Sequence, residues 1–312
     1  MRTYLDFRQF YNQVIHPELS KMERLRRQLL QFLAFSVLLL LAAIVAAAAV
    51  RLFVVTLLLL LPIGFWIAYL LFKVQGFYQE FKPRIVELML DFIDNDVNYS
   101  ELKYKSKGMI PKKKFLESRL FLKAQDYEGE DLIEGRVRET PFMLSELRVK
   151  AFSPVRSKLD YIFSGIFVVA DFHNLEMKGS LLLHPDEYKR YLLAEERAFH
   201  LYGGRRQHGK TLPEFETWFN TYATPDLPLN DVLSTDFQKA ILDFRLLYQQ
   251  QNRKRDLYLS IIGDNLYIGI TQDRDLLEPS IWRPTVDYTL AKEFYDDIAL
   301  LLQFILRIDV MN

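Results

Sequence analysis

The chain contains no cysteine among its 312 residues, which excludes a disulfide framework, a thiolate metal site and a cysteine nucleophile. It also has no net charge, because 40 Lys and Arg residues balance 40 Asp and Glu residues. A balanced chain gives no electrostatic reason to expect a nucleic-acid partner. The lack of cysteine fits a cytoplasmic domain, which is stable without disulfides.

Charge is also missing from two long apolar runs. Residues 29–50 and 52–72 contain no charged side chain, and only Arg51 stands between them. Each run has about the 20 residues that a helix needs to cross a hydrocarbon core of roughly 30 Å. One helix through both runs would be about 65 Å long, so the chain must turn back near Arg51. Residues 29–72 are therefore predicted to form a two-helix transmembrane hairpin in contact with membrane lipids.

Basic residues lie outside both ends of this hairpin. They are Lys21, Arg24, Arg26 and Arg27 before it, and Lys73, Lys82 and Arg84 after it. Because cytoplasmic flanks carry the excess of Lys and Arg, both termini are predicted to be cytoplasmic.

Small residues recur at four-residue spacing in both runs: Ala42, Ala43, Ala46 and Ala47 in the first, and Gly64 and Ala68 in the second. Such faces allow lipid-embedded helices to approach closely. Two interpretations remain open, the two helices packing on each other and a homodimer that forms through the same faces.

The rest of the sequence divides into three segments. Residues 1–28 are predicted to be helical, with an interruption at His16-Pro17, and either lie on the membrane or pack on the following domain. Residues 73–126 continue the second span as a helix and then form a basic connector. Residues 127–312 are predicted to form a cytoplasmic antiparallel α+β domain, since short strand patterns dominate them.

Several elements of this domain are specific enough to be checked. Residues 132–137 and 142–149 form a predicted hairpin, residues 215–223 are a candidate strand, and a helix is predicted to begin at His184. The final element is an amphipathic helix whose apolar side chains recur every three or four residues: Leu290, Phe294, Ile298, Leu301, Ile305 and Ile308. Seven candidate strands followed by this helix suggest a comparison with pleckstrin-homology-like barrels, by element count alone.

The sharpest motif is GRRQHGKT, because Gly204, Gly209, Lys210 and Thr211 satisfy the pattern of a phosphate-binding loop. That loop requires a buried strand before it and a helix after it. Here a charged stretch precedes the motif, and Pro213 follows it closely. We therefore interpret the match as a coincidence, and no nucleotide or other cofactor is predicted.

Other candidate residues are less specific. The acidic side chains Glu130, Asp131 and Asp171 are candidate interaction acids, and Lys112, Lys113 and Lys114 are candidates for contact with anionic lipid. The five histidines show no metal-ligand spacing: His16, His173, His184, His200 and His208. The sequence therefore predicts neither a metal site nor a catalytic residue.

Several stretches resemble a single bacterial family, catalogued as domain of unknown function 3137. They are YEGEDLIEGRVRETPFMLSEL (residues 127–147), IFSGIFVVADFH (162–173), PEFETWF (213–219), DNLYIGI (264–270) and LLEPS (276–280). The most specific part is Gly129–Asp131, and the resemblance extends to the hairpin. It implies a bacterial membrane protein with a cytoplasmic domain, and supplies no known activity. Together with the two apolar runs, it predicts a multi-pass protein of the inner membrane.

The sequence thus predicts a membrane-tethered, non-enzymatic module whose cytoplasmic domain binds a protein or an anionic lipid surface. Two alternatives remain. One is a membrane-bound enzyme that acts on a nucleotide or a lipid-derived substrate through Glu130, Asp131, Asp171 or Lys210. The other is a subunit of a larger membrane complex.

Overall fold

The computed structural model describes residues 4–50, 53–153, 156–172, 178–186, 199, 204–251, 256–272, 284 and 286–311. It divides into two compact units. One comprises Leu90–Leu276 and Lys292–Asn312, and the other comprises Arg2–Met89 and Leu277–Ala291. The predicted turn at Arg51, together with His173 and His200, lies outside the described residues.

The helices of the described residues are α1 (Tyr4–Phe10), α2 (His16–Val50), α3 (Phe53–Asp94), α4 (Lys112–Glu117), α5 (Pro213–Glu216), α6 (Leu229–Val232), α7 (Thr235–Gln251) and α8 (Tyr288–Met311). The strands are β1 (Tyr99–Lys105), β2 (Asp126–Val137), β3 (Thr140–Ser153), β4 (Lys158–Asp171), β5 (Ser180–Pro185), β6 (Arg205–Arg206), β7 (Phe219–Ala223), β8 (Leu257–Ile262) and β9 (Asn265–Thr271). These helices and a large antiparallel sheet confirm the α+β class.

The N-terminal helix runs through His16-Pro17, so the predicted interruption there is wrong. Pro17 has no N–H group and its ring clashes with the preceding turn of a regular α-helix. The chain accommodates it with one wide turn, a π-helix over Tyr11–Ile15 between α1 and α2. In that turn the N–H of His16 donates to the carbonyl of Tyr11, five residues back.

Two helices in the described part of the chain are long and apolar enough to cross a membrane, by length and composition. They meet where the rings of Phe32 and Trp66 lie edge to face, with centroids 6.3 Å apart. Gly64 and Ala68 are exposed, and no atom lies within 4 Å of a Cβ placed on Gly64. Near Phe32 and Trp66 the aromatic rings therefore make the contact rather than Gly64 and Ala68, and packing through the alanines of the first run stays a prediction.

The sheet of the described residues has nine antiparallel strands in the order β1-β2-β3-β4-β9-β8-β5-β7-β6. The predicted hairpin is confirmed as β2 and β3, which are joined by a turn at Arg138 and Glu139. The last strand of the described residues, β9, lies between β4 and β8. The pleckstrin-homology comparison anticipated seven strands, and the strand order gives it no support.

One face of the sheet carries a cluster of aromatic side chains. On this face, Phe163, Phe167 and Tyr258 join a cluster with Phe115 of α4 and Phe121. The rings of Phe115 and Phe121 stack with centroids 5.1 Å apart. These residues therefore form an aromatic core on this side of the sheet.

The C-terminal helix is buried along its apolar side, as its sequence pattern predicts. Phe294, Ile298 and Ile305 of α8 are buried, and Phe304 stacks on Phe244 of α7 at 4.5 Å. The hydroxyl of Thr140, at the start of β3, donates to Asp309 at 2.6 Å. The end of α8 is therefore fixed to the sheet.

Three sequence predictions differ from the structure. The segment 94–126 is not only a connector, because it contains β1 and α4. His184 begins no helix, since it belongs to β5, while residues 187–198 lie outside the described part of the chain. Phe215 belongs to α5 rather than to a strand, because Pro213 fixes the first turn of that helix.

Candidate functional site

The acidic motif of β2 lies at an irregularity in the sheet. The register between β2 and β3 shifts between Glu130 and Ile133, and Asp131 adopts a positive φ of 60°. Such a bulge re-aims side chains and is common near binding sites. The N–H of Asp131 donates to Ser106 O at 3.0 Å, and the hydroxyl of Tyr104 donates to its carboxylate at 2.5 Å. These contacts hold the buried Asp131 side chain in a fixed position.

Gly129 keeps the strands close beside this bulge. A Cβ at this position would lie 2.6 Å from Leu147 Cδ2 and 2.8 Å from the carbonyl oxygen of Glu146. Real Cβ atoms do not approach so closely, so only glycine fits without a shift of β3. Beside this glycine the surface of the strand pair borders an open space.

That space is a shallow groove lined by Glu128, Gly129, Glu130, Glu146 and Arg148. Glu130 and Glu146 are directly opposite each other in the sheet. Arg148 Nη2 lies 3.3 Å from one carboxylate oxygen of each. The Glu146 side chain is 5% exposed, whereas those of Arg148 and Glu130 are partly exposed.

The charges of the groove suggest what it could bind. Like charges opposite each other in a sheet destabilise it, and Arg148 offsets this repulsion. Three carboxylates still face one guanidinium group, so a cationic or hydrogen-bond-donating partner suits the groove. Among the residues that the structure describes, no group of His, Asp and Glu has the arrangement of a metal site.

The third candidate acid, Asp171, lies apart from the groove. Ile166 pairs with Glu146, and Asp171 lies five residues further along β4, about 16 Å away at the rise of a strand. Asp171 instead pairs with Asn265 at the start of β9. Glu130 and Asp131 therefore lie next to each other at the bulge, whereas Asp171 lies elsewhere in the sheet.

The GRRQHGKT segment lies at the edge of the sheet. Arg205 and Arg206 inside the motif form β6, and the next helix begins only at Pro213. A phosphate-binding loop has its strand before the motif and its helix directly after it. In this segment the strand lies within the motif itself.

An internal carboxylate also closes this loop. Glu216 accepts a hydrogen bond from Gly209 N–H at 2.7 Å and from the Thr211 hydroxyl at 3.1 Å. These hydrogen bonds lower the pKa of Glu216, the bond from Gly209 N–H most of all. The position that an anion would take is thus occupied by the chain's own side chain, while Lys210 is exposed.

The three candidate lipid-binding lysines occupy α4 rather than an irregular loop. Lys112 and Lys113 are exposed, and Lys114 is half-buried. Lys113 Nζ lies 3.8 Å from Glu117, one turn further along the helix. Phe115 fixes α4 to the aromatic core, so the lysines are held on a rigid element at the surface.

His184 is a core residue of β5. Its ring lies against Tyr222 and Tyr258, with centroids 5.7 Å and 6.1 Å away. Burial lowers the pKa of His184 to about 4, and its Nε2 has no hydrogen-bond partner among the described residues. Asp186, its neighbour in the sequence, is exposed, so the two side chains do not share one site.

Sequence reasoning missed two residues of the groove region. Arg148 was not singled out, and Tyr104 belongs to a strand that was not predicted. A signal for Arg148 exists in the alternation Ser145-Glu146-Leu147-Arg148, in which polar and apolar side chains point to opposite faces. No local signal identifies Tyr104 as the partner of Asp131, because the two are 27 residues apart.

The fold and the groove define the chain as an α+β protein whose antiparallel sheet carries an acidic surface groove. Residues 161–309 match the family model described as protein of unknown function (DUF3137), and this match supports membership of that family. The match begins in β4 and ends in α8, so the groove and the hairpin lie outside the matched range. No curated protein and no solved structure matches the chain.

Proposed function

We propose that this protein is a membrane-tethered, non-enzymatic interaction module of the bacterial inner membrane, with both termini in the cytoplasm. The observation that carries the proposal is the apolar surface of α2 and α3. Large side chains such as Phe35, Leu38, Phe65 and Phe72 are exposed on these helices. Each such side chain would gain roughly 1.5–3 kcal/mol on leaving water, which favours a lipid environment.

The polar ends of the two helices support this anchor. Arg26 Nη2 and Arg27 Nε bind Glu23 at 2.7 Å and 2.8 Å, which places charged side chains just before the apolar run. The hydrogen bond from Arg26 to Glu23 raises the pKa of Arg26, so it stays charged. Directly after the second apolar run, Lys73 lies over the ring of Tyr69, a pairing suited to a membrane interface.

The groove is the proposed protein-binding surface. Glu128 and Glu130 are accessible at its rim, and Arg148 holds the buried Glu146 in place. A partner with a Lys or Arg side chain would complement the acid excess. The exposed Lys112 and Lys113 on α4 are the proposed surface for anionic lipid.

The arrangement favours this module over an enzyme that combines the candidate residues. Lys210 follows β6, which lies seven strand positions from β2, roughly 30 Å at the usual strand spacing. An active site requires its groups to converge within a few ångströms of the substrate. Glu130 and Lys210 are therefore too far apart to act on one substrate.

In-cell photo-crosslinking tests the proposal. A photoreactive amino acid replaces Glu128 in the full-length protein, and another replaces the fully exposed Val97 as a control. We expect one partner protein to crosslink in stoichiometric amount at position 128 and not at position 97. The Glu130→Lys variant should lose the crosslink at position 128. Absence of a position-specific protein crosslink would contradict binding at the groove. A crosslink retained by Glu130→Lys would show that the acids do not select the partner.

A further inference from the structure

The β3–β4 hairpin is longer than the sheet around it. Strand β2 pairs with β3 only as far as Lys150, and β9 pairs with β4 only from Gly165 onwards. Beyond these positions, within the described residues, β3 and β4 continue to pair with each other, down to Ser153 opposite Lys158. The end of this hairpin therefore extends past its neighbouring strands.

Apolar side chains are exposed together at this end. Phe152 is opposite Leu159, and Lys150 is opposite Tyr161, so these four side chains share one face of the hairpin. Phe152, Leu159 and Tyr161 are 49%, 46% and 58% exposed. Adjacent exposed apolar residues of this size mark contact surfaces rather than a chance distribution.

Cations surround the apolar group. Arg156 and Lys158 lie 3.5 Å and 4.0 Å from one carboxylate, that of Asp160, so two positive charges share a single negative charge. Both side chains are about two-thirds exposed. Lys150 binds Asp126 at 2.7 Å and lies over the Tyr161 ring, 5.1 Å from its centroid. The outermost residues therefore combine a positive charge with an aromatic and aliphatic surface.

We infer that this hairpin tip, defined as Phe152, Arg156, Lys158, Leu159 and Tyr161, inserts into the headgroup layer of an anionic membrane. Phe152 and Leu159 enter the boundary of the acyl chains, Tyr161 lies at the interface, and Arg156 and Lys158 bind lipid phosphates. The inference deepens the proposed function, on which it rests, by assigning the lipid contact to this hairpin in addition to α4.

The pattern fits lipid better than a protein partner. Protein hot spots are usually side chains that insert into or form a packed pocket, whereas Phe152, Leu159 and Tyr161 are about half exposed on a strand pair that extends past its neighbours. Apolar side chains with Lys and Arg beside them are typical of segments that lie in a membrane interface. The charge of the tip is complementary to anionic headgroups, and each positioned basic residue strengthens such binding about five-fold.

The test uses the full chain reconstituted into vesicles, and its lack of cysteine permits single labels. An environment-sensitive dye is attached to Leu159→Cys or, as a matched control, to Leu246→Cys on α7, a leucine with nearly the same exposure. With phosphatidylglycerol in the vesicles, we expect a blue-shifted emission at 159 that is quenched by brominated lipids, and neither effect at 246. Vesicles of phosphatidylcholine alone should give neither effect at 159.

A charge variant tests the mechanism. Arg156→Gln with Lys158→Gln should lower the ratio of lipid-contacting to free tips roughly 25-fold, from two contributions of about five-fold each. Lys178→Gln with Lys239→Gln removes two charges from exposed lysines outside the tip and α4, and should leave the signal at 159 unchanged. Equal, unquenched emission in both vesicle types would overturn the inference, as would an equal loss of signal in the Lys178 and Lys239 variant. Carbonate extraction separates the two proposals, because a failed tip leaves the protein integral to the membrane.

Discussion

Glu130 and Glu146 lie directly opposite each other on β2 and β3, and Arg148 Nη2 contacts both carboxylates at 3.3 Å. A pair of like charges at this position is unfavourable unless a cation is fixed between them. The arrangement is therefore a charged cluster at the surface of the sheet. Its energetics can be measured independently of any partner.

Arg148→Met is expected to destabilise the protein by about 1–3 kcal/mol, because the buried Glu146 loses a charged partner next to Glu130. The double variant Glu146→Gln with Arg148→Met should recover most of this loss, since it also removes the buried charge. Urea unfolding of the detergent-solubilised full chain is followed by circular dichroism. It gives the free energies of unfolding of the native protein, Glu146→Gln, Arg148→Met and the double variant, which together form a double-mutant cycle. Additive effects of the two substitutions would show that the pair is not coupled.

Gly165→Ala is expected to be among the most destabilising glycine substitutions, by about 1–3 kcal/mol or more. Gly165 has φ of +150°, and a Cβ would lie 2.0 Å from the carbonyl oxygen of Ile270 on β9. Gly76→Ala in α3 is the control, because no atom lies within 4 Å of its Cβ and alanine favours the helix. The midpoint of thermal unfolding should be lower for Gly165→Ala than for Gly76→Ala. Similar midpoints for the two variants would contradict the close approach of β4 and β9.

His184 makes the stability depend on pH. Its pKa is about 4 in the folded protein and about 6.5 in the unfolded chain, so the unfolded state binds more protons between these values. The free energy of unfolding should therefore fall as the pH falls from 6.5 towards 4, by about 3 kcal/mol from this group.

Two variants isolate this effect, His184→Leu and, as a control at an exposed histidine, His208→Gln. The quantity compared is the change of the free energy of unfolding with pH. Urea midpoints between pH 7 and pH 4 should fall less steeply for His184→Leu than for the native protein. His208→Gln should follow the native curve. A native slope in His184→Leu would show that other groups cause the acid sensitivity.

Lys210→Ala should leave any affinity for ATP unchanged, because Lys210 is exposed and Glu216 fills the anion position of its loop. Isothermal titration calorimetry of the full chain measures this directly. Glu216→Ala is the informative companion, since it frees Gly209 N–H and the Thr211 hydroxyl. Binding that is clearly lost in Lys210→Ala would show that the loop does hold phosphate.

The sequence patterns that predicted the fold well are those with a strong local cause. Alternation of polar and apolar residues predicted the β2–β3 hairpin. The apolar residues spaced by three or four from Leu290 to Ile308 predicted α8, and all six of them except Leu290 are buried. The strand β1 was missed because it is an edge strand with mostly polar side chains, and only Tyr99 is buried. His184 was misassigned because a proline after it suits a strand end as well as a helix start.

The candidate site was only partly predictable. Glu130 and Asp131 stand in a recognisable acidic string, but their partners come from other strands, Glu146 and Arg148 from β3 and Tyr104 from β1. The strand order that separates Lys210 from Glu130 depends on pairings between distant parts of the chain, which no local pattern encodes. Only the structure therefore shows which of these residues lie close together.

Accessibility of single cysteines in intact cells tests the central claim, that α2 and α3 form a membrane hairpin carrying a cytoplasmic domain. Leu52→Cys lies at the predicted outer turn, and Val97→Cys is a fully exposed residue after α3. We predict that a membrane-impermeant maleimide labels position 52 in spheroplasts and labels position 97 only after permeabilisation, in a protein that resists carbonate extraction. Extraction by carbonate, or labelling of position 97 in intact spheroplasts, would contradict the account.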